Sequence, residues 1–93
     1  MKTPQRGFYY HNKHDPEGSF ENYAYEVLGV AFHTEDEIPM VVYRPLYEDT
    51  FLGEKDFYVR PLKIFMDEGR FTEITDLKLI EALEGIRDRK YSA

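Results

Sequence analysis

The sequence predicts a mainly β chain, a small barrel or strongly bent sheet of several short strands followed by one terminal helix. Three observations carry that reading. Short segments of alternating or β-rich character recur between polar, often acidic turns. Helical spacing of apolar residues appears in only one long stretch, after Thr75. Eight Tyr and seven Phe stand in 93 residues without a Trp. Rings of that size let a short chain fill a core with few residues.

Phe8-Tyr9-Tyr10-His11 reads as the first strand, and Asn12 to Ser19 as a polar loop interrupted by Pro16 and Gly18. Tyr23 to His33 is the clearest strand. Unbroken alternation would send Tyr25, Val27, Gly29, Ala31 and His33 to one face, and Glu26, Leu28, Val30 and Phe32 to the other. Gly29 and Ala31 then make a small-residue face that another backbone or a ligand could approach. Thr34 to Glu37 is an acidic turn, and Ile38 to Tyr47 is the next strand. Pro45 limits its pairing to an edge or a bulge. After an acidic loop from Glu48 to Asp56, Phe57 to Arg60 forms another strand, ended by Pro61. Leu62 to Met66 fits one helical turn, and Arg70 to Glu73 a last short strand. Thr75 is a suitable N-cap for a helix running to about Lys90, with Ile74 and Leu79 placed as a hydrophobic staple. Leu79, Ile80, Leu83 and Ile86 make its apolar stripe, and Arg87, Arg89 and Lys90 complement the dipole at its end. Residues 1–93 thus make a single domain, with a barrel core over 8–73 and an appended helix over 74–90.

Composition removes several functional classes. No cysteine is present, which excludes thiol nucleophiles, thiolate metal sites and a disulfide framework. Formal net charge is −6, from 18 acidic and 12 basic side chains. Duplex nucleic acid and anionic membranes are disfavoured partners for such a chain. The N-terminal residues lack the apolar run of a signal peptide, and no stretch is long enough to span a bilayer, so a cytoplasmic location is expected. Neither a phosphate-binding loop nor a nucleophile elbow occurs. The spacing of His11, His14 and His33 matches no metal site, and His14 falls in a loop of mobile composition. No metal or cofactor is expected.

Tyr25-Glu26-Val27-Leu28-Gly29-Val30-Ala31, His33-Thr34-Glu35, Val41-Val42-Tyr43-Arg44, Leu46-Tyr47, Val59-Arg60-Pro61 and Phe65 follow one another in a distinctive order. That order resembles the bacterial family catalogued as Domain of Unknown Function 1653. Tyr9 to His11 with Lys13 is similar to the family's opening segment, and Arg70-Phe71 to its closing strand. The resemblance spans about residues 9–72 and implies an SH3-like barrel of about five short antiparallel strands. It implies no activity. Asn12 stands where the family has an aromatic, Tyr58 where it usually has Trp, and Thr34-Glu35-Asp36 where it has Ser-Glu-Thr. The loop after Glu48 is extended, and the helix after Thr75 resembles an addition.

Two constellations are candidates for function. His33 and Glu35, two apart on a strand, would share a face and could act as an acid/base pair in a small hydrolase or isomerase. A hydrogen bond that merely stiffens the hairpin needs the same geometry. Tyr43, Tyr47, Tyr58, Arg44 and Arg60, joined by His11, offer rings and guanidinium planes suited to a peptide, a nucleotide or a small planar ligand. The structural alternative pairs Arg60 with Glu26, Glu35 or another carboxylate. The preferred expectation is a binding or accessory module using Tyr43, Tyr58, Arg60 and the His33–Glu35 turn. A structural homodimer that hides the aromatic face is a further alternative.

Overall fold

Alternation of apolar and polar residues selects extended backbone through most of the chain, and the strands pair in the order that brings their apolar faces together. The computed structural model describes residues 3–48 and 57–91. Its elements are β1 (Gly7–His11), β2 (Ala24–His33), β3 (Ile38–Pro45), β4 (Tyr58–Pro61), α1 (Leu62–Phe65), β5 (Phe71–Glu73) and α2 (Leu77–Tyr91). Five antiparallel strands lie in the order β4-β3-β2-β1-β5 and curl into a half-barrel. The expected mainly β chain with a C-terminal helix is therefore present. The extended loop beyond Glu48 lies outside the described residues. Among these, no helix is long and apolar enough to cross a membrane.

The two faces of the sheet bury different clusters. On the inner face, Tyr9, Tyr25, Val27, Val41 and Tyr43 pack with Leu62 and Phe65 of the segment after β4. Phe71 closes the curl. Its ring stacks on Phe65 at 4.1 Å and meets Tyr43, two strands beyond β1, edge-on at 5.9 Å. No ladder joins the outermost strands β4 and β5, so ring packing holds the two edges near each other. On the other face, α2 covers Phe8, Ala24, Leu46 and Ile74 with Leu83 at the centre of its stripe.

A β-bulge overturns the unbroken alternation expected for β2. Val27 pairs with Tyr43 but Gly29 pairs with Val42, leaving Leu28 as the extra residue. Side chains beyond it change faces. Val30, opposite Val41, and Phe32, opposite Pro39, follow Tyr25 and Val27, while Gly29, Ala31 and His33 fall on the helix-covered side of the sheet. No backbone crowds Gly29. A Cβ there would meet only the Arg6 Nε, 4.0 Å away. The glycine marks the irregularity in the ladder rather than a close approach.

The helix begins one residue later than its sequence suggests. Asp76, not Thr75, caps it, with Oδ1 accepting from Lys78 N at 2.9 Å and Leu79 N at 3.2 Å. Arg87 does more than complement the dipole. Its Nη1 donates to Glu26 Oε2 at 3.0 Å, while Arg44 Nε donates to Glu26 Oε1 at 2.9 Å. Glu26 is only 8% exposed, so both of its oxygens are satisfied by cations from β3 and α2. Tyr91 completes the clasp, with its ring 4.1 Å below the Arg44 guanidinium and its hydroxyl donating to Pro45 O at 2.5 Å.

Removing the shared carboxylate would leave two partly buried guanidiniums facing each other. Glu26→Ala is expected to destabilise the fold by about 3 kcal/mol, read as a lower urea midpoint. An unchanged midpoint would show that α2 is held by apolar contact alone.

Candidate functional site

Inner-face residues at one end of the half-barrel are only partly buried and form a mouth above the aromatic core. β1 delivers His11 there, in register with Phe71 of β5. β4 delivers Tyr58 opposite Tyr43 and Arg60 opposite Val41. Since directly opposed residues of an antiparallel pair project to the same side, His11, Tyr43, Tyr58, Arg60 and Phe71 share the inner face. Tyr23 joins them through its backbone, because its carbonyl accepts the His11 N–H at 3.0 Å. It does so at φ +52, a left-handed conformation uncommon for a bulky side chain.

The mouth is aromatic and positively charged. Tyr58 lies edge-on to Tyr43 at 5.8 Å, and the Tyr25 and Tyr47 hydroxyls hydrogen-bond at 2.5 Å. Arg60 Nε donates to the Tyr43 hydroxyl at 3.1 Å, and its guanidinium lies 5.5 Å from the centre of the Phe71 ring. No carboxylate among the described residues pairs with Arg60. Glu26, the partner considered from sequence, is on the opposite face and already held. Glu35 lies in the hairpin turn. His11 packs edge-on to Phe71 at 5.1 Å and accepts the Lys13 N–H at Nδ1 over 3.1 Å. In the neutral ring the proton therefore sits on Nε2, which has no protein partner among the described residues. Burial first, and then the charges of Arg60, Lys13 and Arg70, hold the His11 pKa below its ordinary value of 6.5.

The other sequence candidates lie elsewhere. Arg44 projects to the helix side and is occupied by Glu26 and Tyr91. His33 and Glu35 do not pair. β2 ends at His33, so the two-residue rule for strands stops applying before Glu35. Instead Asp36 turns back, donating its N–H to His33 Nδ1 at 3.0 Å and placing Oδ2 3.9 Å from Nε2. His14 is tied down within its loop, stacked on Tyr10 at 3.6 Å and bonded through Nδ1 to Asn22 O at 2.6 Å. A separate open groove of about 460 Å³, lined by Phe20, Leu46, Ile86 and Lys90 among others, runs beside α2. It includes neither Arg60 nor His11.

Residues 7–73 match the model of a family described as a protein of unknown function (DUF1653). The chain belongs to this family. No curated protein and no solved structure matches it. The family match covers the five strands and α1 and stops before α2. Within it fall His11, Tyr23, Tyr43, Tyr58, Arg60, Arg70 and Phe71, whereas Arg87 and Tyr91, which clasp the Glu26–Arg44 pair, fall outside.

Because the His11 ring is favoured neutral in the folded state, its contribution to stability is complete above pH 6.5 and is lost as pH falls through the lowered folded value. Arg60→Met removes the charge that lowers the His11 pKa most without emptying the space, so that pKa should rise, measured by NMR titration. No change would place the Arg60 charge too far away to matter.

Proposed function

We propose that the protein is a binding module whose ligand carries a negative charge beside a flat or apolar part, and that the half-barrel mouth receives it. A peptide end, a nucleotide or another small planar anion has this form. The observation behind the reading is Arg60. In a chain with a net charge of −6, its guanidinium has a hydroxyl and a ring for company, and no carboxylate among the described residues. Arginine in this setting offers its remaining N–H donors to a planar or anionic group, and the neighbouring tyrosines add amphipathic surface. The acid/base reading on His33 and Glu35 has less support, since the two side chains are not joined and the imidazole takes Asp36 instead.

A chemical-shift titration against peptide, nucleotide and single-stranded RNA pools tests the reading. Ligand-dependent shifts at His11, Tyr43, Tyr58 and Arg60 are expected, with affinity reduced about tenfold in Arg60→Met. Shifts confined to the hairpin turn or to the groove beside α2 would overturn it.

A homodimer is the second reading, favoured by exposed apolar side chains on the β2–β3 hairpin and the β4 segment. Phe32, Val59 and Phe57 are 60%, 59% and 55% exposed. Large apolar side chains left exposed can take part in association surfaces. Light scattering decides it: a mass that stays monomeric across concentrations removes the dimer.

A further inference from the structure

The donors around Phe71 define the ligand more narrowly than a negative charge does. Three side chains from three separate segments each keep a donor that is unused among the described residues. Arg60 of β4 has its Nε taken by Tyr43, while its terminal nitrogens meet no carboxylate among the described residues. His11 of β1 presents Nε2, since Nδ1 is occupied by the Lys13 N–H. Arg70, in the turn leading into β5, has a buried Nε without a hydrogen bond, the one such side-chain atom among the described residues. Among the described residues its carboxylate neighbour is Asp67, at a loose 3.7 Å from Nη2 and half exposed. Arg70 is placed beside His11 by its own backbone, for its carbonyl accepts the Asn12 N–H at 2.9 Å. The charges of Arg60 and Arg70 both reach the His11 ring.

Every one of these groups donates, and none accepts. A carboxylate has two coplanar oxygens and is satisfied by the fork of a single arginine. Donors arriving from β1, β4 and the β5 turn suit a group whose oxygens diverge in three directions. We infer that the mouth is built for a tetrahedral oxyanion, a phosphoryl or sulfonyl group on a flat or apolar body, held by Arg60, Arg70 and His11 together. This rests on the binding reading above and specifies its ligand class.

The test uses four probes with one ring and different heads: benzenesulfonate, phenyl phosphate, benzoate and benzyl alcohol, titrated into the full chain at pH 7.5 and constant ionic strength. Benzenesulfonate and benzoate carry equal charge, and the sulfonate oxygens are individually the weaker acceptors, so a sulfonate preference isolates geometry. The expected result is sulfonate and phosphate binding about tenfold tighter than benzoate, with benzyl alcohol weakest. The Arg70 guanidinium resonances should shift with the two tetrahedral anions only. His11→Phe keeps a ring against Phe71 and Tyr23 but removes the donor, and should erase the preference over benzoate. Phosphate above sulfonate would point to a phosphoryl source, and the reverse to a sulfonyl one. Equal affinity for all three anions overturns this inference and leaves the binding module standing. Shifts at none of His11, Arg60 and Phe71 with any probe defeat both.

Discussion

Phe71 carries a constraint on which the inner face depends. A five-stranded sheet of this length leaves two edges, and β4 and β5 do not close them by hydrogen bonding. Closure comes from one ring on β5 that stacks on Phe65 of α1 and reaches Tyr43 on β3. Apolar contact is non-directional, so it tolerates a curl that a hydrogen-bonded ladder would have to match in register. The same ring supports the Arg60 guanidinium and the edge of His11. One side chain thus joins barrel closure to the geometry of the candidate site.

The two arginines of comparable promise in the sequence have opposite roles. Arg44 and Arg60 both follow apolar strand residues, yet register sends Arg44 to Glu26 and Arg60 toward Val41 and the mouth. Glu26 is the sorting element. Buried between β2, β3 and α2, it captures Arg44 and Arg87, while no carboxylate among the described residues pairs with Arg60. A chain with an excess of acidic residues can in this way keep a local positive surface.

Much of the architecture was legible because period-two and period-3.6 patterns report burial directly. The five strands, the α1 turn and the stripe of α2 were read in this way, and so was the shared face of Tyr58 and Arg60; that Tyr43 joins them needs the β3–β4 register. What stayed hidden depended on pairing. No residue pattern announces that Leu28 is unpaired, yet that bulge reverses the faces of Gly29, Ala31 and His33. The juxtaposition of His11 with Phe71 and Arg70 needs the β1–β5 register, which links segments at opposite ends of the sheet domain. The cap at Asp76 rather than Thr75 was a choice between two adjacent good acceptors, decided by which side-chain oxygen reached the free N–H groups.

The position of β1 has a kinetic consequence. It is flanked in space by β2, its sequence neighbour, and by β5, most of the chain away. Hairpins β1–β2 and β2–β3 can form early from local encounters, whereas docking β5 must close a long loop, the step that slows folding in chains rich in distant pairings. His11, Arg60 and Arg70 converge only when that step is complete. A newly made or partly unfolded molecule would therefore present a finished hairpin sheet without the cluster of His11, Phe71 and Arg60, which would assemble only with the final strand.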